Sequence, residues 1–383
     1  MKQYINLLKS LYLNIPSPIC VSVNLTNKCI QHCIYCEIGL GLVKTEKPLL
    51  VLDDLKWIVD EMNRSGIPSL GLGGGEPLLF KDIFEVIRYA REFGIKCGIL
   101  TNGMLLPQLS KNEIALLKEC NTDVAVSIDS FAPDKQEYIR GAKNALSLPI
   151  EGINIFVKQQ IPVNIMTVIS AYNYQDIFDI TVNANRLGVN SVDFQPVIFI
   201  SCFPEVEPIT NKKRFNVLLE HLPEIEDQFQ RIMDYEKRNP IKTNVYVLRQ
   251  WLPNYIQFLS SMQINGFFFK EIVNRFWCAP LYSTIAINYY GDILPCNMLK
   301  PAKSIKDGDS KSLVELWNES CKPIRSMIKR QQYPDACKSC ICAFDFNILG
   351  STLKYPFNNF HLLSRVLMKT VKRQIKKREE LKL

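Results

Sequence analysis

The residue types best suited to chemistry in this 383-residue chain are its thirteen cysteines. In a reducing compartment so many thiols point to metal or redox chemistry rather than to disulfides. Cys20, Cys97, Cys120, Cys202 and Cys321 stand alone, and the other eight cluster. The run CIQHCIYC places Cys29, Cys33 and Cys36 with three and then two residues between them. Three thiolates on one tight loop can hold three irons of a cubane and leave the fourth iron open to an outside ligand. Zinc is the competing reading, but it usually takes four protein ligands in short-spaced pairs, and no partner pair lies nearby. His32 reads as loop filler.

A second group lies far along the chain. Cys278 is followed by twelve residues, Gly291, four residues and Cys296, while Cys337 and Cys340 form a CxxC with Cys342 just beyond. Two separated groups flanking a hairpin can give four thiolates to one metal centre. Zinc suits these spacings as well as iron and sulfide do, and metal analysis separates the two.

Both groups need a scaffold. From about residue 20 to 200, short β-branched runs alternate with helix-period segments. The runs are VSVNLT (21–26), SLGLGG (69–74), KCGILT (96–101), DVAVSI (123–128), VNIMTVI (163–169) and SVDFQPV (191–197). Between them lie segments such as LDDLKWIVDEMNRSG, KDIFEVIRYAREFG and YQDIFDITVNANRLG, the last two closing on Gly94 and Gly188 as helix C-termini do. Repetition of this kind gives a parallel sheet with right-handed crossovers. Six units suggest an α/β fold, a barrel or an open fraction of one, whose chemistry would sit at the C-terminal ends of the strands. The expected segments are an N-terminal stretch (1–19), the barrel (20–200), a helical connector (201–275), a cysteine-rich region with a hairpin STIAINYYGDILPC (276–346), and a basic tail (347–383).

The CxxxCxxC loop after the first strand, with Tyr35 before its last cysteine, resembles the signature of the radical S-adenosylmethionine (radical SAM) superfamily. The resemblance implies a partial (β/α)6 TIM-like barrel and a 4Fe-4S cluster whose open iron is chelated by S-adenosylmethionine. Gly73, Gly74, Gly75 and Glu76 at the second strand end resemble the superfamily's GGE stretch, where backbone groups take the methionyl ammonium. Asn102 ends the third strand, Ser127 the fourth, and Arg140 follows about a dozen residues later. The resemblance implies that Tyr35, Gly74, Gly75, Glu76, Asn102, Ser127 and Arg140 bind the cofactor, with Ser127 on its ribose and Arg140 on its carboxylate, a group that a guanidinium matches well. Gln195, Thr167 and Asn173 fall near strand ends and receive no catalytic role. The C-terminal group resembles the SPASM/Twitch extension. No cysteine follows Cys342, so one auxiliary 4Fe-4S cluster on Cys278, Cys296, Cys337 and Cys340 is expected, with Cys342 or Cys321 as substitute ligands.

Composition narrows the function. Of the net charge of +8, the stretch from Arg365 to Leu383 contributes +6, with eight lysines or arginines against two glutamates. The rest is nearly neutral, which argues against a nucleic-acid footprint. The tail alternates apolar and basic residues, as a solvated terminal helix does or as a segment lying on an anionic membrane surface does. No signal-peptide pattern and no membrane-length apolar run occur, so a cytoplasmic protein, peripheral at the membrane at most, is expected. The resemblance implies reductive cleavage of S-adenosylmethionine to a 5'-deoxyadenosyl radical that abstracts a substrate hydrogen, with electrons from a flavodoxin- or ferredoxin-type donor. A fully ligated auxiliary cluster would carry an electron away, for net oxidation or bond formation. The short stretch before the first strand favours a small biosynthetic intermediate as substrate. The alternatives are a SPASM-type enzyme modifying peptides or protein side chains, and a non-catalytic iron-sulfur or zinc protein.

Overall fold

The computed structural model describes residues 12–13, 15–43, 47–197, 215–260, 267–296, 298–308, 310–338, 340–341, 344–355 and 357. Six strands follow the six apolar runs: β1 (Cys20–Thr26), β2 (Ser69–Gly74), β3 (Lys96–Thr101), β4 (Asp123–Ser127), β5 (Val163–Ile169) and β6 (Ser191–Pro196). Each pairs in parallel with the next. In β5 the buried residues are Val163, Ile165, Thr167 and Ile169, the period of two expected of a strand with one face against helices. The crossovers are α1 (Leu52–Ser65), α2 (Ile83–Glu92), α3 (Lys111–Glu119), then two helices in succession, α4 (Pro133–Arg140) and α5 (Ser147–Lys158), and finally α6 (Ile177–Leu187). α1 buries Leu55, Ile58, Val59 and Met62 and ends on Gly66 at φ 68°, a left-handed position that glycine takes without penalty.

The sheet does not stop at six strands. Its order is β10-β9-β8-β1-β2-β3-β4-β5-β6-β7. The stretch expected to be wholly helical supplies α7 (Leu222–Glu236) and α8 (Val245–Ser260), but also β7 (Lys242–Thr243), which pairs in parallel with β6. At the other edge, the expected hairpin is β8 (Thr284–Ile287) and β9 (Asp292–Leu294), with β10 (Lys303–Ser304) antiparallel to β9. β8 follows the one-turn helix α9 (Pro280–Ser283) and lies parallel to β1, pairing Cys20 with Thr284 through Val23 with Ile287. The cysteine-rich region is therefore continuous with the barrel sheet. α10 (Leu313–Lys329), opened by a capping box between Ser312 and Glu315, and α11 (Phe344–Lys354) complete it. The expected start of the basic tail, residue 347, lies inside α11, and residues 358–383 lie outside the described residues.

Parallel pairing of β8 with β1 brings their C-terminal ends to the same side of the sheet. The turn after β8 therefore meets the loop after β1. Tyr289 and Tyr290 pack with Ile38, against Cys29 and Cys36, and the Leu50 amide donates to the Tyr289 carbonyl at 2.9 Å. Among the described residues no helix is long and apolar enough to cross a membrane.

Candidate active site

The three-cysteine loop is fixed from two sides. On one, the amides of Gly75 and Glu76 donate to the carbonyls of Thr26 (2.7 Å) and Lys28 (2.8 Å). On the other, the amides of His32 and Ile34 donate to the carbonyls of Arg140 (3.0 Å) and Ile139 (3.1 Å), using the otherwise unpaired C-terminal carbonyls of α4. Approach is close enough to exclude side chains. A Cβ on Gly75 would overlap the Lys28 carbonyl oxygen, and one on Gly141, at φ 60°, would overlap that of His32. His32 Nδ1 lies 2.9 Å from the Gly39 carbonyl, folding the loop back on itself.

The glycines of the GGE stretch thus have a role that their resemblance did not suggest. Gly75 is needed for contact with the chain's own loop, and its amide is already taken. Carbonyl oxygens remain the backbone groups able to meet an ammonium. Glu76 is fully buried and accepts from Thr101 Oγ1 (2.7 Å), the Asn102 amide (2.8 Å) and the Leu78 amide (3.1 Å). Burial pushes its carboxyl above the usual carboxylate range, against the pull of those three donors. It therefore ties the ends of β2 and β3 together and positions Asn102, whose Nδ2 lies 3.7 Å from Cys29 Sγ.

Asp129, directly after β4, is the residue that sequence reasoning left without a role. Its Oδ2 accepts from the Arg140 guanidinium at 2.8 Å and from the Tyr35 hydroxyl, while Oδ1 accepts from the Val168 amide at 2.9 Å. Arg140 is 6% exposed and its Nη1 stands 4.0 Å from Cys33 Sγ. Burial works against its charge, but Asp129, Tyr35 and Cys33 outweigh that and raise its pKa. Ser127, half-buried, ends β4 two residues before Asp129. Thr167 donates to the Ile128 carbonyl (2.6 Å) and Asn173 to those of Asp129 and Val168 (both 2.9 Å), so these two brace the strand ends. Gln195 is exposed.

Burial raises the pKa of all three thiols, Cys33 to about 12, and neighbouring cysteines raise those of Cys29 and Cys33 further. Such a site keeps its thiols protonated until a cationic centre takes them as thiolates. Gln31, 1% exposed, has its Nε2 unpartnered there, a spare donor suited to an anionic sulfide or ligand.

In the second group, Cys278, Cys296, Cys337 and Cys340 line a single apolar pocket with Phe267, Phe269, Ile324 and Ile328. Burial holds Cys278 well above the usual thiol range, and Cys337, Cys296 and Cys340 raise it further. The Met298 amide reaches Cys296 Sγ at 3.4 Å. Cys321 is not among the lining residues; it is buried on α10 with its thiol 4.0 Å from the Pro295 carbonyl, so it stands as a core residue rather than a substitute ligand. Cys342 lies outside the described residues. Among the described residues no three His, Cys, Asp or Glu side chains are grouped to hold a single metal ion. Wholly sulfur donor sets in apolar surroundings suit iron-sulfur clusters, and both places fit one.

Comparison with known proteins agrees with this geometry. Residues 23–181 match the radical SAM superfamily, and residues 278–341 match SPASM, an iron-sulfur cluster-binding domain. The AdoMet-dependent heme synthase of Methanosarcina barkeri is 30% identical over 174 residues, 45% of this chain and 48% of that protein. A GTP 3',8-cyclase of Alkaliphilus oremlandii is 32% identical over 231 residues, 57% of this chain and 67% of that one. The match thus spans about half the length of the heme synthase and two thirds of the cyclase. The crystal structure of Streptococcus suis SuiB bound to precursor peptide SuiA superposes with a TM-score of 0.60 at 17% identity, covering 85% of this chain and 70% of that one.

A three-cysteine loop on a partial parallel barrel, followed by a four-cysteine extension, defines a radical SAM protein with a SPASM domain. The chain belongs to the radical SAM superfamily. That family's cofactors are a 4Fe-4S cluster and S-adenosylmethionine, and the SPASM domain adds auxiliary iron-sulfur clusters.

Proposed function

We propose that the chain is a radical SAM oxidoreductase that takes a hydrogen atom from a small biosynthetic intermediate, for net oxidation or bond formation. The observation that carries this reading is the meeting of the Cys29/Cys33/Cys36 loop with the C-terminal ends of β2, β3 and β4, where Glu76, Asn102, Asp129 and Arg140 are already organised by buried hydrogen bonds. Cys29, Cys33 and Cys36 hold the first cluster, and Cys278, Cys296, Cys337 and Cys340 the auxiliary one. When bound, cluster and S-adenosylmethionine supply reductive cleavage and a carbon radical, with electrons from a flavodoxin- or ferredoxin-type donor.

The protein's part is binding, orientation and exclusion of water. Arg140, held by Asp129, keeps Nη1 beside Cys33 and Nε without a partner, a donor suited to a carboxylate. Gly74 and Gly75 offer carbonyls at the end of β2, Ser127 a hydroxyl at the ribose position, and Tyr35 a ring beside the last cysteine. Tyr289 and Tyr290 close the loop from the auxiliary side. By their names, the heme synthase and the GTP cyclase act on small molecules, which supports a small-molecule substrate, while SuiB, crystallised with a precursor peptide, supports the peptide-modifying alternative.

The test is the iron and sulfide content of anaerobically reconstituted protein beside a Cys29→Ala/Cys33→Ala/Cys36→Ala variant, with EPR before and after S-adenosylmethionine. About eight irons falling to about four, with a spectral change on adding S-adenosylmethionine only in the parent, is the expected result. No response in the parent, or no 5'-deoxyadenosine under strong reductant, overturns the proposal.

A further inference from the structure

α10 carries a buried charge that no described carboxylate compensates. Arg325 is 8% exposed. Its Nε donates to the Leu281 carbonyl at 2.7 Å and its Nη1 to Asn318 Oδ1 at 2.8 Å, while Nη2 is buried without a partner. The guanidinium lies over the rings of Trp317 (4.6 Å to the centroid) and Tyr282 (5.2 Å). Among the described residues no carboxylate pairs with it. Two neutral oxygens and two aromatic faces stabilise a guanidinium only in part, and an unpaired buried charge costs several kcal/mol. Among the described residues no countercharge is supplied.

The position of Arg325 indicates what supplies it. Ile324 and Ile328, on either side of it along α10, line the pocket bounded by Cys278, Cys296, Cys337 and Cys340, and so does Leu281, whose carbonyl Arg325 holds. Among the described residues, the ionisable groups that act on Arg325 are Cys321, Tyr282 and Cys278, with no carboxylate among them. Four thiolates on a cubane carry net negative charge, and reduction adds one more.

We infer that Arg325 is the resident counter-ion of the auxiliary cluster and sets its reduction potential. The inference rests on the auxiliary-cluster reading above. A fixed cation beside the cluster favours the reduced, more negative state, so it holds the potential up and makes the cluster a better electron acceptor. An arginine does this without titrating, because it stays protonated in proteins. The cluster is thereby poised to receive an electron from a substrate radical rather than to deliver one.

The experiment is an EPR-monitored redox titration of the auxiliary cluster in the full chain carrying Cys29→Ala/Cys33→Ala/Cys36→Ala, with Arg325, Arg325→Lys or Arg325→Gln. Iron and sulfide are counted in each. The expected result is about four irons in all three, with the Arg325→Gln potential lowered by at least about 59 mV, a tenfold change in a one-electron equilibrium, and the Arg325→Lys potential close to the parent's. Loss of the cluster in Arg325→Gln but not in Arg325→Lys also supports the inference, since only charge separates the two. An intact cluster in Arg325→Gln at the parent's potential overturns it, as does equal loss of iron in both variants, which marks a packing role. Zinc in place of iron in the parent overturns the auxiliary-cluster reading, and the inference with it.

Discussion

Asp129 joins three functions in one side chain. It neutralises Arg140, holds the Tyr35 hydroxyl, and ties the end of β4 to β5 through the Val168 amide. Removing one partner of a buried ion pair costs about 3–5 kcal/mol because the other charge is left alone. Asp129→Asn should therefore lower thermal stability markedly and weaken S-adenosylmethionine binding at least tenfold, since Arg140 and Tyr35 both lose their anchor. Calorimetric titration of the reconstituted variant with S-adenosylmethionine, beside a melting curve, checks both; unchanged affinity would remove Asp129 from the site. The residue was legible in the sequence only as the position after a strand. Its importance comes from Tyr35, ninety-four positions away, a relation that spacing does not encode.

At the scale of elements, the strands and the first cysteine loop were readable because their signals are local. Period-two burial, closing glycines and CxxxCxxC spacing each lie within a few residues. What was not readable depends on pairing between distant segments. β7 is two residues long, too short to leave a pattern, and exists because β6 offers it an edge. The double helix of the β4 to β5 crossover was also passed over, although α4 delivers the carbonyls that hold the cluster loop. The glycines beside that loop make this dependence testable. Gly75→Ala places a methyl group onto the Lys28 carbonyl, so the loop must shift while the barrel behind it keeps its packing. Iron analysis of Gly75→Ala should show about four irons where the parent has about eight, with circular dichroism unchanged. Full iron occupancy in this variant would mean that the loop tolerates displacement and that the glycine serves the ligand instead.

The whole molecule is organised by the parallel pairing of β8 with β1, which makes the auxiliary region an extension of the barrel sheet rather than an appended module. The two cysteine groups then share a framework, and the turn after β8 becomes a wall of the first site. Tyr289 is completely buried there, against Ile38 and the cluster loop. Truncating a buried aromatic side chain costs about 3–5 kcal/mol, and here the lost contacts include those that join the two regions through Ile38. Tyr289→Ala should accordingly lower the melting temperature and admit water to the first cluster. Its EPR signal should bleach faster in air than the parent's, while the auxiliary signal decays at the parent's rate. The opposite lesion distinguishes coupling from simple loss of stability. Cys337→Ala/Cys340→Ala removes auxiliary ligands, yet leaves the β8–β1 pairing and Tyr289 in place. That variant should keep about four irons and still yield 5'-deoxyadenosine, with its first cluster bleaching at the parent's rate. If both variants lose the first cluster equally fast, the barrier is the folded auxiliary domain as a whole, and Tyr289 has no protecting role of its own.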